Sequence, residues 1–130
     1  MGGIKGDHAA PPDDLAGQLA EFQRYGAKFT RALAVLRARS VKRHRFEPSG
    51  REIWTVVGVA GEQLVDEAQP YCSCHHFHYR VLDGQDETCY HLLAVRMARR
   101  TGLYDEVRLR DDEHYDLLRY LLRDIARPNK

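Results

Sequence analysis

The sequence lacks a long apolar run, and its charges nearly cancel. The most apolar stretch, residues 32–36, lies between Arg31 and Arg37 and is far shorter than the ~18 residues that a membrane-spanning helix needs. Lys+Arg 20 and Asp+Glu 19 give a net charge of +1, so any attraction to nucleic acid must come from local patches. The N-terminus also lacks the basic-then-apolar order of a signal peptide, and we therefore expect a cytoplasmic protein.

Cysteine is scarce as well, with three in 130 residues. An odd number cannot pair completely, which argues against a disulfide framework. Cys72 and Cys74 are in addition too close for an unstrained bridge. Clustered cysteines in a cytoplasmic chain indicate metal or redox chemistry instead.

The N-terminal third predicts a flexible tail followed by a helix. Residues 1–12 are rich in Gly, Ala and Pro and predict the tail, while residues 13–39 predict an amphipathic helix. Its apolar positions alternate at spacings of four and three, which is typical of a helix that buries one narrow seam. They are Leu15, Leu19, Phe22, Gly26, Phe29, Leu33 and Leu36. The seam packs on its own domain, or else Leu19, Phe22, Phe29 and Leu33 dock a partner or a second copy as a homodimer.

The sequence from residue 40 onwards predicts strands followed by helices, and the whole chain is expected to be one α+β domain. Residues 41–46, 53–59 and 62–66 alternate as strands of a short antiparallel meander, and residues 75–87 read as a loop or a fourth short strand. Thr88 is expected to cap a helix over residues 90–100 that Gly102 closes. We assign residues 40–102, which contain all three cysteines, to one unit and residues 103–130 to a C-terminal helical segment.

The chemistry concentrates in two close pairs, Cys72-x-Cys74 and Cys89-x-His91, which are separated by fourteen residues. Three thiols and one imidazole suit a single tetrahedral metal, and Zn²⁺ is the usual occupant. Four protein ligands predict a closed structural site, since a catalytic site keeps an open position, and we therefore expect no enzymatic activity. A redox role for Cys-x-Cys lacks a partner motif. Three further histidines are rival ligands to His91, namely His75, His76 and His78.

The pattern resembles that of the SWIM zinc fingers, which carry Cys-x-Cys, a variable gap and Cys-x-His on a ββα unit. That family often has a tryptophan-containing strand before the first pair, as residues 53–56 (IWTV) do here, and an aromatic residue after it, as Phe77 is. The helix opening CYHLLA at residues 89–94 also fits the family. The resemblance covers residues 52–99 and implies that Cys72, Cys74, Cys89 and His91 hold the zinc.

The resemblance also implies a binding function. Small stand-alone SWIM proteins, archaeal ones among them, act with RecA-like recombinase paralogues in homologous recombination and DNA repair, and this chain resembles them in size and organisation. We therefore expect an adaptor for such a protein partner. The alternative is direct DNA binding through basic residues around the finger. These are Lys42, Arg43, Arg45, Arg96, Arg99 and Arg100.

Overall fold

The computed structural model describes residues 15–59 and 61–125, with side chains up to residue 123. The predicted tail and the first two residues of the predicted N-terminal helix lie outside the described residues. Four α-helices and five strands follow one another: α1 (Leu15–Gln18), α2 (Ala27–Arg37), β1 (Val41–Glu47), β2 (Glu52–Gly58), β3 (Gly61–Asp66), β4 (Tyr71–Cys72), α3 (Tyr90–Thr101), β5 (Asp105–Arg110) and α4 (His114–Ile125). None of these helices is long and apolar enough to cross a membrane.

The single long N-terminal helix that the sequence predicts is replaced by three pieces. A short 3-10 helix at Ala20–Tyr25 follows α1, and α2 begins only after Gly26. Gly26 has φ +62° and ψ −122°, a conformation that other residues adopt only with strain. The chain therefore turns at Gly26, and the predicted helix is broken there.

The apolar seam nevertheless faces the core of its own domain. Leu19 is 1% exposed and Phe22 is 7% exposed, while Phe29 and Leu33 are half-buried against the same core. A side chain that is already enclosed cannot contact a partner without partial unfolding. Leu19 and Phe22 are therefore not an accessible docking surface, which corrects that expectation, and the intramolecular alternative describes the seam.

The described strands form a five-stranded sheet in the order β4-β3-β2-β1-β5. Strands β1 to β4 are an antiparallel meander whose first three members lie within one residue of the predicted strands. The fifth strand was not predicted. It lies at residues 105–110, inside the segment assigned as helical, and pairs in parallel with β1. Its sequence, DEVRLR, is mostly charged and half-buried, so it lacks the apolar run expected of a parallel strand.

A second difference concerns the residues after Cys74. The predicted loop or strand containing Phe77, Tyr79 and Val81 is helical, with a single π-helical turn at Phe77–Val81. Phe77 is buried and Tyr79 is exposed. The spacing of apolar residues that indicated a strand therefore belongs to a helical turn with only one side facing the core.

The sheet is covered on both faces. Because side chains alternate along a strand, Val41 and Phe46 point to opposite faces of β1. Helices α2 and α3 pack against each other and over the Val41 face, where the main core lies. Helix α4 covers the other face, where His114 contacts the Phe46 ring edge-on at 4.9 Å and Leu121 is fully buried. We call these the metal face and the α4 face.

Candidate metal centre

Four side chains with metal-binding atoms converge on the metal face. The sulfurs of Cys72, Cys74 and Cys89 and a ring nitrogen of His91 all lie within 4.8 Å of one another. Each of the four side chains is buried. Donors around a tetrahedral zinc lie roughly 3.8 Å apart when the Zn–S bonds are about 2.3 Å. The cluster is therefore compact enough to bind one metal ion after small adjustments.

The first pair is held by the edge of the sheet. Cys72 is the last residue of β4 and pairs with Val65 of β3. Between the two cysteines, the Ser73 hydroxyl accepts a hydrogen bond from the Leu64 amide at 3.0 Å and donates one to Gln63 Oε1 at 2.7 Å. The Ser73 amide also donates to the Leu64 carbonyl at 3.0 Å. The Cys-x-Cys backbone is therefore anchored on β3, and both thiols turn into the core.

The second pair is held by the start of α3. Cys89, rather than the expected Thr88, is the N-cap residue, with extended backbone angles and a sulfur that accepts from the Leu92 amide at 3.4 Å. His91 follows in the first helical turn. Cys74 receives a similar bond, from the Phe77 amide at 3.3 Å. Amide donors of this kind favour the thiolate form that a metal requires.

Gly58, at the end of β2, makes room for this helix start. A Cβ at position 58 would lie 2.4 Å from the Tyr90 hydroxyl and 2.7 Å from His91 Nε2, both far below van der Waals contact. The His91 ring can therefore approach the β2 backbone only because residue 58 is glycine. Nothing in the sequence distinguishes Gly58 from the nine other glycines, so this positioning residue could not be inferred from the sequence.

His91 supplies the clearest sign of a missing bonding partner. Its side chain is 6% exposed, and neither ring nitrogen has a hydrogen-bond partner within the described part of the chain. A buried polar atom without a partner costs about 1–3 kcal/mol. A metal ion bound by the three sulfurs and one of these nitrogens would remove that cost for one nitrogen, so the cluster fits a metal.

The three thiols also need a cation in order to ionise together. Hydrogen bonds with Cys74, and to a smaller extent with Cys89, raise the pKa of Cys72 far above its usual range. Hydrogen bonds with Cys72 and Cys89 instead lower the pKa of Cys74. For Cys89, a bond with Cys72 lowers the pKa, but contact with Cys74 and burial outweigh it and raise the pKa to about 12. The helix start alone therefore does not make Cys89 a thiolate. Without a cation the cluster favours one thiolate that neighbouring thiols stabilise.

The rival histidines lie apart from the cluster. His75 is exposed and packs its ring at 4.4 Å from the Tyr79 ring, and the His78 ring lies at 6.0 Å from the Tyr71 ring. His76 contacts Asp86, with Nε2 at 2.9 Å from a carboxylate oxygen. Of the four histidines in the two motifs, only His91 belongs to the cluster.

Asp86 is a structural residue that the sequence did not single out. Its carboxylate receives the Lys28 ammonium at 2.6 Å as well as His76, and so ties α2 to the segment between the two ligand pairs. The Lys28 hydrogen bond is the main reason that the pKa of Asp86 falls to about 2, with His76 contributing. An acidic residue in a polar loop carries no sequence signal for this role.

Most of the basic residues assigned to DNA contact are paired with carboxylates. Arg43 contacts Glu52 and Glu106, and Arg45 contacts Glu47. On α3, Arg99 contacts Glu52 and Glu67, and Arg100 contacts Glu21 at 2.6 Å. Lys42 and Arg96 make no ion pair within the described residues. The positive charge predicted for DNA contact is therefore largely neutralised at the surface.

No known protein family, curated protein or solved structure matches this chain in the comparisons made. The geometry of the cluster therefore carries the functional argument.

Proposed function

We propose that this chain is a SWIM-type zinc finger protein that acts as an adaptor for a protein partner, with one structural zinc. The observation that carries the proposal is the buried cluster of Cys72, Cys74, Cys89 and His91. Three thiolates with one imidazole favour Zn²⁺ among common cellular ions. The cluster is enclosed and offers four ligands, so zinc there would stabilise the fold rather than activate water.

The strand and helix context supports the SWIM assignment. The tryptophan of the resemblance, Trp54, is 4% exposed in the main core, and Phe77 is buried next to the first ligand pair. The second pair opens α3, whose Leu92, Leu93 and Ala94 are fully buried. The residues that carry the resemblance thus lie in one packed unit around the proposed zinc. A RecA-like recombinase paralogue remains the partner that the resemblance implies.

The exposed side of α4 supplies the adaptor surface in this proposal. Tyr115 is 67% exposed and Leu122 56%, and their spacing of seven residues places them on the same side of the helix. Aromatic and apolar groups of this size are typical interface anchors. Leu121, on the inner side of the same helix, is fully buried, so α4 is amphipathic. Leu19 and Phe22 of the predicted seam, by contrast, are buried in the core.

The alternative function is DNA binding, and one feature of α3 supports it. A groove of about 490 Å³ is lined by Arg24, Arg96, Arg99 and Arg100 together with Glu21 and Glu67. Phosphates would have to displace these carboxylates from Arg99 and Arg100. Because of this competition, we place the adaptor function ahead of DNA binding. Any DNA binding that does occur should be weak and strongly dependent on salt.

The test is a pull-down from the native source with the zinc-loaded protein as bait and metal content measured on that bait. We expect about one zinc per chain and a RecA-like paralogue in the eluate. Leu122→Glu should abolish capture of the partner without changing the zinc content, whereas Arg96→Glu should leave capture of the partner unchanged. A partner that is retained by Leu122→Glu would place the interface elsewhere, and a bait that folds without zinc would contradict the structural metal.

DNA binding has a separate readout. Fluorescence anisotropy with a labelled duplex should show no saturable binding at physiological salt if the adaptor proposal holds. Binding that disappears with Arg96→Glu and weakens steeply with added salt would favour the alternative.

A further inference from the structure

The two edges of the sheet differ in length. One edge strand, β4, is two residues long, and the other, β5, is six residues long. An exposed edge carries a row of backbone N–H and C=O groups that can pair with a strand of another chain. Among the described residues β5 has β1 as its one sheet neighbour, so its outer side is the longer open edge.

The turn that follows β5 shows which of its backbone groups point outward. The Arg110 amide donates to the Glu113 carboxylate at 2.7 Å and therefore points away from β1. Successive strand residues direct their N–H and C=O groups alternately to the two sides. Glu106 and Arg108 therefore direct theirs outward, whereas Val107 directs its groups to β1. Since Glu113 already occupies the Arg110 amide, the open edge consists of Glu106 and Arg108.

The charges of β5 make this open edge complementary to itself. The strand reads DEVRLR, acidic in its first half and basic in its second. In an antiparallel pair, two residues that exchange both backbone hydrogen bonds lie directly opposite each other, with their side chains on the same face. A twofold axis at Val107 places Glu106 of each copy opposite Arg108 of the other. This register uses the open backbone groups of both residues and adds an ion pair on either side of the axis.

The neighbouring register lacks this fit. Shifting one copy by two residues moves the axis to Arg108, which then faces its own copy, and like charges directly opposite each other are destabilising. The shift also brings Glu106 opposite Arg110, whose amide is already bonded to Glu113. A charged edge that only prevented association would repel its copy in every register, whereas β5 repels its copy in one register and attracts it in the other.

The two charged side chains are available for such a contact. Arg108 has a side chain that is 68% exposed, and its contact with Glu106 Oε2 of its own chain is long, at 3.8 Å. Arg43 contacts the other oxygen, Oε1. A residue directly opposite on a paired strand is about 5 Å away, nearer than the second residue along the same strand at about 6.6 Å. Arg108 of a second copy could therefore approach Glu106 Oε2 more closely than the chain's own Arg108.

We propose that two copies of this chain associate through β5, in the antiparallel register centred on Val107, so that their sheets join into one. Glu106 of each copy pairs with Arg108 of the other, and the half-buried Val107 side chains meet on the opposite face. A net charge of +1 gives little overall repulsion between copies. Because the contact is limited to one strand, we expect a weak dimer with Kd on the order of 10 µM. The proposal is independent of the metal and of the α4 surface.

The first test is sedimentation equilibrium of the full, zinc-loaded chain over a range of concentrations. The wild type should show a monomer–dimer equilibrium, and Arg108→Glu should weaken it at least about tenfold, because attraction becomes repulsion on both sides of the axis. Arg110→Glu makes the same charge change on the same face of β5, at a side chain that is 72% exposed, and should dimerise like the wild type. Thermal unfolding of both variants checks that each is folded. Loss of the dimer in Arg110→Glu but not in Arg108→Glu would overturn the proposed pairing.

The second test locates the contact by amide hydrogen exchange, measured by NMR on the wild type. The outward amides of Glu106 and Arg108 should exchange fast in dilute protein and more slowly as the concentration rises. The Val107 amide, which points to β1, should be protected at every concentration. In Arg108→Glu the concentration dependence at Glu106 should disappear. A dimer without this protection would lie elsewhere, and a chain that stays monomeric at millimolar concentration would leave the edge to a strand of another protein; either result would overturn the proposal.

Discussion

The two faces of the sheet are closed by different forces. On the metal face, the core under α2 and α3 contains three cysteines and a histidine whose ring nitrogens lack partners. On the α4 face, Phe46 and Leu121 are fully buried apolar side chains that need no ligand. In the function proposed above, one face is completed by a bound ion, whereas the two side chains of the other face are held by hydrophobic burial. Perturbing one face at a time should show how far they are coupled through the shared sheet.

The largest effect is expected from Cys89→Ser, which removes one metal ligand and the sulfur that caps α3. Metal binding contributes directly to folding in small metal-binding units, on the order of 10 kcal/mol in peptides with structural zinc. We expect the variant to lose most of its metal affinity and the ordered packing of α3. Co²⁺ absorption and thermal unfolding with and without a chelator measure both. His75→Ala, at an exposed histidine outside the cluster, should match the wild type, and a Cys89→Ser protein that keeps its Co²⁺ spectrum would contradict the assignment of the ligand.

On the opposite face, Leu121→Ala should lower the free energy of unfolding by about 2–4 kcal/mol, because it leaves a cavity under α4. The zinc stoichiometry should not change, since Leu121 lies on the other side of the sheet. Urea unfolding of the zinc-loaded protein measures the first quantity and metal analysis the second. Leu122→Ala, one residue further and 56% exposed, should stay within about 0.5 kcal/mol of the wild type. A loss of zinc in Leu121→Ala would mean that the two faces are not separable.

The sequence predicted the metal face better than the other. The Cys72-x-Cys74 and Cys89-x-His91 pairs do form one buried cluster, and the helix over residues 90–100 ends at Gly102 as expected. These signals are local, because ligand spacing, capping residues and a C-terminal glycine act within a few residues. The zinc itself, the SWIM family and the partner remain proposals.

The features that could not be predicted depend on contacts between distant residues. Strand β5 is short and charged, and only its pairing with β1 makes it a strand. The pairing of Arg43 with Glu106 joins residues 63 positions apart, so the apparent basic cluster gave no sign of its neutralisation. The heptad spacing around Gly26 indicated a continuous helix, but spacing does not reveal where the backbone turns. Close approaches such as that of Gly58 to His91 are likewise visible only in three dimensions.

Gly58→Ala should weaken the metal face by a smaller amount than the loss of a ligand. Its Cβ would meet the Tyr90 hydroxyl at 2.4 Å and His91 Nε2 at 2.7 Å. We expect a cost of about 1–3 kcal/mol, as for other overpacking substitutions, expressed mainly as weaker metal affinity in a Zn²⁺ competition titration. Adding Tyr90→Phe removes the closer atom and should restore part of the loss. Wild-type metal affinity in Gly58→Ala would show that the His91 ring can shift without cost.

The smallest effect is expected from Asp86→Asn, which tests a contact on the metal face that needs no metal. The Lys28–Asp86 pair is half-buried, and we expect its loss to cost about 1 kcal/mol. The pKa of Asp86 is lowered from 3.8 to about 2, so the folded state favours the ionised carboxylate. The contribution is therefore complete at pH values above about 4 and disappears as the pH falls towards about 2. Urea unfolding of wild type and variant at pH 7, where the ligands can hold the proposed metal, measures this difference. Asp83→Asn, an exposed carboxylate of the same segment, is the matched control and should match the wild type, and an Asp86→Asn protein as stable as the wild type would show that the pair contributes nothing to stability.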